Sequence, residues 1–110
     1  MKVYLVNSFS LNMLDELEHA RLSIRVISKD EIYELMDENF IPAIGHANTA
    51  ILVGDILFPE TGAFFFNRET VALKSGDACV VAQYRGPRLP EGQVFLPNGA
   101  SIQFYLVEVE

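Results

Sequence analysis

Leu22-Ser23-Ile24-Arg25-Val26-Ile27-Ser28-Lys29-Asp30-Glu31 holds the change of period on which the fold class turns. Leu22, Ile24 and Val26 alternate with Ser23 and Arg25, the two-residue repeat of a strand half-exposed on one face. At Ser28 the repeat stops. Ser28 and Glu31 have the spacing of a capping box, in which the serine oxygen accepts a backbone N–H and the glutamate reaches back to the serine N–H. A helix is predicted from Lys29 to about Glu38, with Ile32, Leu35 and Met36 on its apolar side and Asp30, Glu31, Glu34, Asp37 and Glu38 filling the rest. A strand that hands directly to a helix points to an α/β chain.

Working outward, Lys2 to Val6 is a first strand, broken by Asn7-Ser8-Phe9-Ser10. Leu11 to Leu17 is predicted as a short helix. Pro42 and Gly45 punctuate a loop, after which Ala50, Val53 and Leu57 share one face of a second helix over His46 to Leu57, widened by Ile51, Leu52 and Ile56. Val71 to Leu73 and Ala78 to Tyr84 flank Ser75-Gly76-Asp77, a pattern that predicts an antiparallel hairpin. Arg85 to Ala100 carries Gly86, Pro87, Pro90, Gly92, Pro97 and Gly99 and is predicted to be a long loop. Ser101 to Glu108 closes the chain as a strand. The expectation is one domain over residues 1–110, a mixed sheet of about five strands flanked by helices.

Composition bounds the function. The 110 residues are 50% hydrophobic, enough for one core, and carry fifteen acids against eight bases, a net charge of −7. Such a balance disfavours general affinity for duplex nucleic acid, although a few arginines and backbone amides focused on one pocket still suit a small anion. No apolar run approaches the about 20 residues that span a bilayer. The chain starts in a strand pattern rather than a secretory signal, and Cys79 is the single cysteine, so a cytoplasmic protein without disulfides is expected. The two histidines and one cysteine lack metal-site spacing, and no phosphate-binding loop or dinucleotide fingerprint is present. No cofactor is expected.

Three clusters have the residue types that chemistry needs. Asn7-Ser8-Phe9-Ser10-Leu11-Asn12-Met13 follows the first strand, where open α/β sheets place ligands, although Ser and Asn serve equally well as turn and cap residues. Ile44-Gly45-His46 precedes the second helix: glycine permits close approach, a helix start favours a phosphate, and histidine suits proton transfer near neutrality. His46 as a simple helix-start residue is the alternative. His19, in a charged stretch without such a glycine, is expected to be exposed and idle. Gln83 to Gly92 holds Arg85, Arg88 and Glu91 between prolines and glycines, and arginine forks match phosphate oxygens. Arg68 is a further candidate phosphate contact. Ala63-Phe64-Phe65-Phe66 calls for burial in the core or at an interface.

Taken together, Asn7 to Leu14, Ala43-Ile44-Gly45-His46-Ala47-Asn48-Thr49-Ala50 and Gln83 to Gly92 resemble the small proteins of archaeal viruses, phages and bacterial mobile elements that include the type III anti-CRISPR ring nucleases, relatives of a small-protein family of Sulfolobus turreted icosahedral virus. The likeness runs in order along essentially the whole chain. It implies a homodimer with cyclic tetra-adenylate on its twofold axis, and a metal-independent phosphodiesterase in which a ribose 2'-hydroxyl attacks the adjacent phosphate. It implies His46 as general acid, Arg88 as the cation that steadies the phosphate, and Glu91 as an acidic active-site residue. Asn7, Ser10, Gly45, Arg68 and Gln83 would line the ligand, while Arg85 has no counterpart. Two other readings of the residues stay open: a protein that sequesters a cyclic nucleotide without turnover, and a small interaction protein that uses its acidic helix face and phenylalanine tract.

Overall fold

A computed structural model describes residues 1–15, 18–36, 39–68, 70–88, 92–93 and 95–110. Five strands form one sheet: β1 (Val3–Val6), β2 (Leu22–Val26), β3 (Phe40–Pro42), β4 (Ala78–Arg85) and β5 (Ser101–Val109), in the spatial order β2-β5-β4-β1-β3. β1 runs parallel to both β3 and β4, whereas β5 is antiparallel to β4 and β2. The sheet is therefore mixed, with a parallel half and an antiparallel half. Two helices accompany it, α1 (Lys29–Leu35) and α2 (Ala47–Leu57). The α/β expectation with a five-stranded mixed sheet holds.

Each residue of β1 is buried, as are Ala78 to Ala82 of β4, the continuous apolar run that a strand covered on both faces requires. Alternation then divides the core. Val3, Leu5, Ala78, Val80, Ala82, Phe104 and Leu106 pack with Ile32, Ala50, Val53 and Leu57 of the helices. Tyr4, Val6, Cys79, Val81, Val107 and Val109 face the other way, toward Val71, Leu73, Met13 and Leu14. Val107, which blurs the alternation of β5 in the sequence, is an apolar residue of this second covered face.

The capping box forms as its spacing predicts. The Glu31 N–H donates to Ser28 Oγ at 3.2 Å, and the Ser28 N–H donates to Glu31 Oε1 at 3.3 Å. Arg25 of β2 adds a 2.7 Å ion pair to Glu31 Oε2. That guanidinium hydrogen bond, helped by the Ser28 amide, holds the Glu31 carboxyl below its ordinary range.

Three local expectations fail for tertiary reasons. The predicted helix from Leu11 is a single tight turn, Leu11–Met13, which Ser10 Oγ caps by accepting the Asn12 N–H. Leu14 then leaves it to bridge Leu73, and Glu16 and Leu17 lie outside the described residues. The predicted hairpin around Ser75-Gly76-Asp77 is absent: a turn is there, closed by the Asp77 N–H on Lys74 O, but both edges of β4 are taken by β1 and β5. Leu73 pairs with Met13 and Asp15 instead. β3 escaped the reading because Pro42 argues against a strand, yet β3 is an edge, where proline is tolerated. α1 also ends sooner than the predicted Glu38: Met36 is already its C-cap, with its N–H donating to Tyr33 O, and Glu38 lies outside the described residues.

The long segment between β4 and β5 is pinched at its base. Arg85 pairs with Ser101, and Gly86, at φ +141°, lies so close to Ala100 that a Cβ would come within 2.7 Å of its Cα.

Candidate functional site

Because β3, β1 and β4 are adjacent and parallel, the segments leaving their carboxyl ends emerge along one edge of the sheet. From β1 comes Asn7, from β3 come Ala43 to His46, and from β4 come Gly86 to Arg88. These are the three clusters that the sequence singles out, but β4 runs on to Arg85 past the pairing of its Val81 with Val6 at the end of β1, so Gly86 to Arg88 emerge roughly 13 Å farther along the strand direction. The crevice beyond the carboxyl ends of parallel strands is where open α/β sheets bind ligands.

A cleft of about 370 Å³ opens on this edge, lined by Asn7, Ser10, Asn12, Gly45, Asn67 and Arg68 among others. Four predicted ligand residues, Asn7, Ser10, Gly45 and Arg68, thus share one wall. Arg68 is the one charged side chain among the described lining residues, a local positive site on an acidic protein. Gly45 faces open space: a Cβ built there would meet nothing within 4 Å. The stretch carrying Arg68 is fastened alongside by backbone bonds from Asn67 N–H to Ile44 O, 3.0 Å, and from Ile44 N–H to Phe65 O, 3.2 Å.

His46 is the residue that opens α2. Its backbone carbonyl accepts the Ala50 N–H at 2.9 Å, while its side chain makes no capping bond and stands exposed beside Gly45. The helix start is therefore available to an anion. His19 is exposed, as expected.

Gln83 lies in a neighbouring cleft of about 330 Å³ with Phe9, Ile24, Val81, Arg85 and Tyr105, and its amide donates to Tyr84 O. Arg85 donates to Tyr105 Oη at 3.0 Å. The Tyr84 hydroxyl donates to Pro87 O, tying down the start of the following segment. Arg88 is exposed, and Glu91 lies outside the described residues. One chain thus gathers Asn7, Ser10, Gly45 and Arg68 in the cleft, sets His46 next to it, and leaves Gln83 and Arg88 beyond its walls.

Asn67 and Thr70 also line the cleft and escaped the sequence reading. Their signal is slight, two polar residues on either side of Arg68 with no periodicity. Of the phenylalanine tract, Phe65 and Phe66 are half-buried and pack against the core, Phe65 edge-on to Phe40 and tilted against Phe58. Phe64 is 59% exposed, so the core alternative holds for two of the three rings and not for Phe64. Among the described residues there is no group of three metal-ligating side chains and no helix long and apolar enough to cross a membrane.

No curated protein matches the chain by sequence. Among solved structures, B116 of Sulfolobus turreted icosahedral virus is similar, at 31% identity and a TM-score of 0.73, over 98% of this chain and 99% of that one. The family model described as STIV B116-like matches residues 3–103. With nearly its whole length matched, from β1 into β5, the chain belongs to the STIV B116-like family.

Proposed function

We propose that this protein is a ring nuclease that binds cyclic tetra-adenylate and cuts it to linear di-adenylate ending in a 2',3'-cyclic phosphate, which would shut off type III CRISPR signalling. The observation that carries the reading is a cleft beyond the carboxyl ends of β1 and β3, lined by Asn7, Ser10 and Gly45 with His46 beside it, whose one described charge is Arg68. Cleavage needs a nucleophile, a group to protonate the leaving oxygen, and cations for the phosphate charge. The ligand's own 2'-hydroxyl supplies the nucleophile, releasing its proton to solvent and attacking in line so that the P–O5' bond breaks as the P–O2' bond forms. His46 protonates the departing 5' oxygen, a contribution of about 10² to 10⁴ in rate. Arg88, with Arg68, steadies the phosphate oxygens, and Glu91 is assigned to the same centre. No metal is required for this step, because the nucleophile is already part of the ligand.

A ring of four nucleotides exceeds the 370 Å³ cleft of one chain, so the reading includes a homodimer with the ring on its twofold axis. The exposed outer strand β2 supports it. Ile24 and Val26, 60% and 56% exposed, pair with Val107 and Tyr105 of β5 and carry the apolar rows of that face out to an exposed outer strand. Pairing two such faces would bring the Gln83 and Arg85 cleft of each copy toward the shared axis and give each half of the ring one His46.

The test is incubation of pure protein with cyclic tetra-adenylate in excess chelator, with products separated and weighed. Di-adenylate with a cyclic phosphate, lost in His46→Ala and kept in His19→Ala, is the expected result. Because the His46 side chain stands beside the cleft rather than in its wall, sequestration without turnover is the second reading. Stoichiometric protection of an intact ring would select it.

A further inference from the structure

We propose that Phe64 is a stacking platform for a purine base of the bound ligand, an assignment that rests on the reading above and extends it to base recognition. Phe64, Phe66 and Arg68 alternate along one stretch of chain. The rings of Phe64 and Phe66 are stacked, 5.4 Å between centroids and 17° from parallel. The Arg68 guanidinium carbon lies 5.4 Å from the centre of the Phe66 ring. Three flat groups thus form one stack that begins with a cation in the wall of the cleft and ends in an aromatic face that is 59% exposed.

Core packing accounts for Phe65, and partly for Phe66, but not for Phe64. Scattered apolar residues on a surface are ordinary. This one differs in being held parallel to a second ring on a stretch that the Ile44–Phe66 bridge fastens to the site. A ring whose orientation is already set loses little freedom when a base lies on it. Single-stranded nucleotides are recognised in this way, by bases splayed onto aromatic faces while cations take the phosphates. Arg68 would take a phosphate and Phe64 the base of a nucleotide farther along the ring, and a purine offers the larger face.

Titration calorimetry with cyclic tetra-adenylate in a His46→Ala background, where the ring stays intact, tests the assignment. Adding Phe64→Ala is expected to weaken binding about tenfold, and adding Phe64→Tyr to preserve it, with thermal midpoint and sedimentation of the free proteins unchanged. Unaltered affinity in Phe64→Ala overturns this inference and leaves the ring-nuclease reading standing. A change of oligomeric state in Phe64→Ala also overturns it, since the ring would then belong to an interface. Absence of binding by the His46→Ala protein itself overturns both.

Discussion

Asp77 accepts the backbone N–H of Lys2 on Oδ1 at 2.9 Å, joining residues 75 apart in sequence, and takes the Lys74 N–H on Oδ2 at 3.0 Å. One carboxylate therefore fixes the start of β1 to the turn that opens β4, at the opposite end of β1 from Asn7 and the cleft. Burial alone would raise its pKa, but the two amides and the nearby amino terminus outweigh that and hold it below the ordinary carboxylate range. A depressed folded pKa means that the stabilisation is complete above about pH 4 and is lost as pH falls through the folded value. Asp77→Ala should cost about 1–3 kcal/mol at pH 7. Urea denaturation of wild type and variant should show the gap closing below pH 3 to 4, roughly the unfolded carboxylate range.

Two glycines should behave oppositely. A Cβ on Gly54 would lie 1.7 Å from the carbonyl oxygen of Ala63, whereas one on Gly45 meets nothing within 4 Å. Gly54→Ala must push α2 away from that backbone and should destabilise by about 1–3 kcal/mol or more. Gly45→Ala should leave the thermal midpoint unchanged while lowering affinity for cyclic tetra-adenylate, because its methyl group projects into open space beside the cleft. Melting curves and ligand titration on both variants check the contrast.

Cys79 is fully buried in β4 and desolvation pushes its thiol up to about 12. Since the thiolate is the reactive form, the native protein should resist iodoacetamide at pH 8, whereas protein unfolded in urea should be alkylated rapidly. Mass spectrometry over a time course distinguishes the two.

Ile24→Lys places a charge on the exposed outer strand β2, opposite Val107. The variant should fold with an unchanged thermal midpoint, sediment as a monomer and lose turnover of the ring. A monomeric variant that still cuts at the wild-type rate would remove the twofold arrangement from the mechanism.

The parts of the fold written in short-range pattern were legible. Ser28 and Glu31 announced α1 through cap chemistry, and the apolar spacing of Ala50, Val53 and Leu57 announced α2. What escaped depended on which strand found a free edge. Pro42 disguised β3, and the Ser75-Gly76 turn suggested a hairpin that the occupied edges of β4 forbid. The candidate site was legible in the same uneven way. Asn7, Ser10 and Gly45 stand just beyond strand ends, where position alone marks them, while Asn67 and Thr70 reach the cleft only through the long-range pairing of Phe66 with Ile44.

The constriction where Gly86 packs against Ala100 has a consequence for how such proteins diversify. The neck sets the register in which β4 and β5 meet, so the intervening residues other than Arg88 and Glu91 form an exchangeable cassette. Replacement of that stretch, in length or in composition, can retune what the protein touches while the sheet beneath it keeps its alignment.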